Sequence, residues 1–265
     1  MKPISPPIAL TIAGSDSGGG AGIQADLKTF CAFEVYGTSA ITAVTAQNTV
    51  GVSSIHAVPV TAVRAQIDAV VTDLRPNAFK TGMLTTQELV CEVAKAIHEH
   101  RLNRYVMDPV MVATSGDRLL DSGAEASLAN ELLPLTTLIT PNLHEAAILL
   151  DTPLSSLKDL RAASRSLVER GAGAALIKGG HLEGEAIDIL WDGSEEHIWR
   201  RPKIKTTRTH GSGCTLSAAI TAGLARSDDL VDAVYRAIRF VVRAIRTAPP
   251  LGEGNGPLNH FEDPA

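Results

Sequence analysis

The chain has 265 residues, of which 45% are hydrophobic, 4% aromatic and 20% charged, with a formal net charge of −5 at pH 7. That length suits one large α/β domain, 1–265, and an acidic balance with no basic run excludes a nucleic-acid footprint. No apolar run approaches the ~20 residues of a membrane span, so no membrane partner is expected.

Short apolar runs alternate with longer amphipathic ones. Ile8–Ala13 reads as a strand and Gly22–Phe33 as a helix; Ser39–Ala43 and Val52–His56 read as strands, and Thr61–Asp73 as a helix. Ala78–Thr81 (strand), Thr86–Arg101 (helix), Tyr105–Met107 and Leu138–Ile139 (strands) follow. Asn142–Leu149 and Ser156–Arg170 read as helices, the second stopped by Gly171 and Gly173. Ala174–Ile177, Ile187–Trp191 and His197–Arg200 read as strands, and Cys214–Arg226 and Leu230–Arg246 as closing helices before a Pro/Gly-rich tail. Strands separated by helices imply βαβ units and a mainly parallel sheet, whose ligands sit at the carboxyl ends of its strands.

The three cysteines, Cys31, Cys91 and Cys214, are far apart and include no Cys-x-x-Cys pair. Neither a disulfide framework nor a structural zinc site is indicated. The run Ile8–Ala13 is too short for a signal-peptide core, so a reducing, cytoplasmic setting is expected. His98 and His100, two apart on a helix, share no face and read as solvated.

The chemistry-bearing segments follow strands. Thr209-His210-Gly211-Ser212-Gly213-Cys214-Thr215 reads as a loop turning into a helix, whose free N–H groups and dipole attract anions. The same field favours a thiolate at Cys214; the alternative is a small buried core cysteine. Gly14-Ser15-Asp16-Ser17-Gly18-Gly19-Gly20-Ala21-Gly22 matches neither a Walker A loop nor G-x-G-x-x-G nor G-x-S-x-G. It reads as a flexible backbone closing on a small ligand, or as a turn plus helix cap. Thr45-Ala46-Gln47-Asn48-Thr49 offers amides that suit a heterocycle's donors and acceptors, or a turn at Asn48.

Asp108 in Met107-Asp108-Pro109 and Glu145 in Pro141-Asn142-Leu143-His144-Glu145 place carboxylates where they can steady Mg2+ on substrate phosphates. Otherwise Asp108 is a turn residue before proline and Glu145 a first-turn acid favoured by the helix dipole. Lys178, ahead of Gly179-Gly180-His181, can neutralise phosphate charge or be a solvated strand-end lysine.

Taken together these segments resemble the ribokinase superfamily, specifically the bacterial hydroxymethylpyrimidine/phosphomethylpyrimidine kinases of thiamin biosynthesis, from Ile8 through Phe261. The markers are Leu10-Thr11-Ile12-Ala13-Gly14-Ser15-Asp16, Gly19–Phe30, Thr45–Thr49, Lys80-Thr81-Gly82-Met83-Leu84, Asp108-Pro109-Val110-Met111 and Ser115-Gly116-Asp117, then Thr140-Pro141-Asn142, Lys178–His181 and His210–Cys214. The resemblance implies a ribokinase-like α/β fold: a central, mainly parallel sheet flanked by helices, with a small flap over the substrate. It implies two successive ATP- and Mg2+-dependent transfers, hydroxymethylpyrimidine to its monophosphate and then its diphosphate. Gln47 would pair with the pyrimidine edge, and Gly14, Asp26, Met83 and Val110 would line its pocket. Asp108 and Glu145 would organise Mg2+ with Lys178 nearby. Gly211, Ser212 and Gly213 would form the anion hole, and Cys214 would stand where most relatives carry an aspartate base. A homodimer and a monovalent cation also follow by resemblance; no appended thiamin-phosphate synthase domain is expected.

Thr114 and Arg208 depart from that pattern, standing where many relatives carry Lys and Asn. A pyridoxal/pyridoxine kinase of the same subgroup is the nearest alternative, although Ala113-Thr114-Ser115-Gly116 lacks the extra cysteine associated with some of those enzymes. A non-catalytic pyrimidine sensor is the alternative from another class; retention of Cys214 and both acidic positions weighs against it.

Overall fold

The computed structural model describes residues 5–111, 120–180 and 184–264. His181 and the segment Thr114–Asp117 fall outside these ranges. Among the described residues the strands form one nine-stranded sheet, and its elements are β1 (Ile8–Asp16), β2 (Tyr36–Gln47), β3 (Val52–Ala57), β4 (Ala78–Thr81), β5 (Tyr105–Met107), β6 (Leu138–Ile139), β7 (Ala175–Gly179), β8 (Glu185–Trp191) and β9 (Glu196–Pro202). The spatial order is β3-β2-β1-β4-β5-β6-β7-β8-β9. From β2 to β7 the strands run parallel, and β3, β8 and β9 add antiparallel edges.

The helices are α1 (Gly22–Ala32), α2 (Val60–Asp73), α3 (Gln87–His100), α4 (Ser122–Ser127), α5 (Leu143–Leu150), α6 (Leu157–Glu169), α7 (Ser212–Ala225) and α8 (Leu230–Arg246). Local chemistry fixes several starts. The Thr86 hydroxyl accepts from the Leu89 N–H, and α5 and α6 open with reciprocal capping boxes, Asn142/Glu145 and Ser156/Asp159.

Two apolar layers flank the sheet. One joins Leu10, Phe79, Tyr105 and Ile177 to the helices on the α2–α6 side; the other joins Ala9, Ala78, Val106 and Leu176 to α1, α7 and α8. Because side chains alternate faces along a strand, Thr11, Lys80, Asp108 and Lys178 all fall on the α1/α7 face, in step with Ala9, Ala78, Val106 and Leu176. Strand order reverses direction between β1 and β4, the crevice where parallel α/β sheets take ligands.

Three expectations change. First, β1 runs on to Asp16, with a register shift between Ala13 and Ser15, so part of the glycine-rich segment is strand. Second, 122–135 folds into α4 followed by single π and 3-10 turns at Leu128–Leu132 and Leu133–Leu135, where no element was expected. Third, His100 is not solvated: its Nε2 lies 2.6 Å from Asp68 Oδ1 on α2, whereas His98 is exposed.

Candidate active site

The carboxyl ends of β1, β4, β5 and β7 and the start of α7 converge. Gly14 and Met83 face each other across the β1–β4 crevice, where a Cβ on Gly14 would stand 2.5 Å from Met83 Cε. Gln47 ends β2, half-buried; its Oε1 accepts from the Thr45 hydroxyl at 3.1 Å, and its backbone N–H and C=O both bond the Ser17 hydroxyl. Val110 is part-exposed just past β5. Asp26 has no exposed surface: its Oδ2 accepts from Thr11 at 2.6 Å and its Oδ1 pairs with Lys80 at 2.9 Å.

The glycine-rich segment is not an open anion cradle. The Asp16 carboxylate accepts from Gly18 at 2.8 Å, Gly20 at 3.0 Å and Ala21 at 2.8 Å, so those donors are already used. The same carboxylate meets His210 Nε2 at 2.9 Å. Burial alone would raise the Asp16 carboxyl, but His210 and the Ala21 and Gly18 N–H groups hold it below its ordinary value.

Opposite lies the turn into α7. Gly211 has φ +81, and a Cβ there would stand 1.8 Å from the Gly20 carbonyl oxygen, so the two loops meet backbone to backbone. Ser212 N–H bonds the Thr209 carbonyl at 3.1 Å, whereas the N–H groups of Gly213 and Cys214 have no acceptor among the described residues. Those two donors, at a helix N-terminus, can take an oxyanion.

A Cβ on Gly213 would stand 3.3 Å from Lys178 Nζ and 3.7 Å from Asp108 Oδ2. Lys178 is not a solvated strand end: its Nζ lies 3.1 Å from Asp108 Oδ1 and 3.8 Å from Glu145 Oε2. Glu145 both caps α5 and faces this ammonium. Burial, reinforced by the Asp108 charge, raises its carboxyl to about 7 against the pull of Lys178. Oxygen-only donors of this kind suit Mg2+, which takes one or two carboxylates and completes its shell with phosphates and water. Among the described residues no group of three or more His, Cys, Asp or Glu gathers as a metal cage.

Cys214 overturns one expectation. The helix start favours a thiolate, yet burial pushes the thiol up to about 12; Lys80 and the Gly22 N–H pull it down, while Asp26 and Asp108 push it further up. The field of one helix end loses to desolvation and two carboxylates. Arg208 packs along the tail, its Nη1 donating to the Ala248 carbonyl.

Sequence reasoning missed Asp16, His210 and Lys80 as site residues. The only local signals were an acid ahead of six consecutive small residues, a histidine beside Gly211, and a lysine inside an apolar strand.

The phosphomethylpyrimidine kinase family model matches residues 16–259. The hydroxymethylpyrimidine/phosphomethylpyrimidine kinase of Bacillus subtilis is 49% identical over 255 residues, covering 96% of this chain and 94% of that protein. The thiamine biosynthesis bifunctional protein of Geobacter sulfurreducens is 49% identical over 253 residues, 95% of this chain but 52% of that protein, so the chain spans about half of that relative's length. Among solved structures, an ADP complex of Bacillus subtilis pyridoxal kinase superposes with a TM-score of 0.90 at 39% identity, covering 97% of this chain and 98% of that one.

Proposed function

The chain belongs to the phosphomethylpyrimidine kinase family, and from that membership we propose that it phosphorylates 4-amino-5-hydroxymethyl-2-methylpyrimidine to the monophosphate and then to the diphosphate, at one site and with ATP as donor. One observation carries the phosphoryl-transfer reading: the Gly213 and Cys214 N–H groups, with no acceptor among the described residues, share one wall with Lys178, Asp108 and Glu145. Donors fixed in place lower the barrier because the charge they meet develops during transfer.

In the first transfer the acceptor hydroxyl oxygen bonds to the γ-phosphorus, the bond to the ADP oxygen breaks, and the hydroxyl proton passes to Cys214 Sγ and then to solvent. In the second, a phosphate oxygen of the monophosphate attacks. Gln47 orients the ring through its amide; Gly14, Met83 and Val110 shape the pocket wall. Asp26, wholly buried, is paired with Lys80 and Thr11 behind that pocket rather than in its lining. Asp108 and Glu145 would hold Mg2+, which when bound neutralises charge on the phosphates. Lys178 bridges both carboxylates and reaches the transferring group.

The pyrimidine assignment over pyridoxal rests on the phosphomethylpyrimidine kinase family model and on the 49% identity to the pyrimidine kinase. Comparing kcat/KM for hydroxymethylpyrimidine and pyridoxal tests it; a preference for pyridoxal overturns it. No helix among the described residues is long and apolar enough to cross a membrane. A cytoplasmic homodimer with a monovalent-cation requirement completes the reading. Exposed Tyr36, Val44, Val50 and Ile55 on or beside the β2–β3 hairpin support the dimer; sedimentation, and assays in K+ against Na+, check these points.

A further inference from the structure

Lys80 and Asp26 form an ion pair with no exposed side-chain surface, at the centre of the sheet's α1/α7 face. Each ion removed from water costs several kcal/mol, and an apolar or neutral pair of similar volume is often as stable or more so. Stability alone therefore does not account for the pair. Its placement is specific: Lys80 stands opposite Thr11 in the β1–β4 register, and Thr11 fixes the remaining Asp26 oxygen. Of the three N–H donors on the Lys80 ammonium, one goes to Asp26, and the other two have no acceptor among the described residues. A Cβ on Gly82, which would touch Ala13 in the crevice wall, would stand 3.8 Å from Lys80 Nζ.

Burial alone would lower the pKa of the Lys80 ammonium, yet the charges of Asp26 and Asp108 outweigh it and hold it above its ordinary value. The groups bearing on Cys214 are Lys80 from β4, Asp26 and the Gly22 N–H from α1, Asp108 after β5, and Lys178 from β7. Lys178 is committed to Asp108 and Glu145, and Asp26 is fixed by Thr11.

We propose that Lys80 is a positioning residue for phosphoryl transfer: a permanently buried cation on the sheet face that α7 packs against, which offsets the negative charge of the Cys214 thiolate and the charge that develops at the Gly213–Cys214 N–H pair. It touches neither acceptor nor donor and acts through α7. This rests on the kinase reading above, which wild-type turnover of hydroxymethylpyrimidine tests separately.

The test replaces both charges with neutral groups of similar size, Lys80→Met with Asp26→Asn, so that the asparagine oxygen still accepts from Thr11. The expected result is a Tm within about 3 °C of wild type or higher, a pyrimidine KM changed by less than about threefold, and kcat lowered by about 100-fold or more. A kcat within threefold of wild type would overturn the proposal, as would a rise in KM that accounts for the whole loss. A variant that fails to fold overturns it equally, because it would assign the pair to stability.

Discussion

His210 Nε2 lies 2.9 Å from Asp16 Oδ2 although 194 positions separate the two residues in the chain. Asp16 ends β1 and gathers the N–H groups of Gly18, Gly20 and Ala21; His210 precedes the turn into α7 and bonds Gly256 of the tail through its backbone N–H at 3.1 Å. One contact thus ties the end of β1 to the turn into α7. His210→Ala should cost about 1–3 kcal/mol of stability through the loss of one hydrogen bond to a charged carboxylate, whose oxygen keeps the Gly20 and Ala21 N–H groups. Because the hole moves with the loop, kcat should fall about 10-fold or more while KM changes little. His210→Gln, which can present an N–H to Asp16, should recover much of the rate in steady-state assays.

Asp16 also sets an acid limit. Its carboxyl is held below the ordinary value of 3.8, so its contribution to stability is complete above that value and is lost as pH falls through the lower folded value. Urea midpoints measured as pH falls below about 4 should drop more steeply for wild type than for Asp16→Asn.

Cys214 should matter unequally to the two transfers. With its thiol pushed up to about 12, the thiolate is scarce at neutral pH, and the hydroxyl transfer should speed up as pH rises above 7. A phosphate monoester loses its second proton near a pKa of ~6 and needs no base. Cys214→Ala should therefore slow the first transfer about 100-fold or more, and the second by less than about tenfold. Equal losses would remove Cys214 from the proton path.

How much of this was legible in the chain differs from place to place. β4, β5 and β6 were plain because they are short apolar runs between helices, and Gly211–Cys214 announced a helix start by its own residues. What stayed hidden is pairing at a distance. Lys80 in an apolar strand carries no sign of its partner until Asp26 is brought under it. His100 finds Asp68 only after α2 and α3 pack. The thiolate reading of Cys214 weighed the helix end alone, without the burial and the carboxylates that outweigh it. The 122–135 segment, with short irregular turns, offers no sustained period to read.

Glu145 gives a metal-linked prediction. Its carboxyl, raised to about 7, must ionise to hold a cation. The Mg2+ concentration for half-maximal rate should fall as pH rises from about 6 to 8. In Glu145→Gln that requirement should be higher and should lose its pH dependence.

Gly211→Ala tests the loop contact itself. At φ +81, with a Cβ 1.8 Å from the Gly20 oxygen, the turn and the glycine segment cannot both keep their places. The variant should unfold at a lower Tm and lose about 100-fold or more in kcat with either acceptor.

The central claim is that one site adds two phosphates in succession. 31P NMR of hydroxymethylpyrimidine turned over by the wild-type chain with excess ATP and Mg2+ tests it directly. The monophosphate should rise and then give way to the diphosphate, with both steps lost together in Gly213→Val, whose side chain would fill the space beside Lys178 and Asp108. Monophosphate that accumulates as the final product, or a second step that survives Gly213→Val, would contradict a shared site.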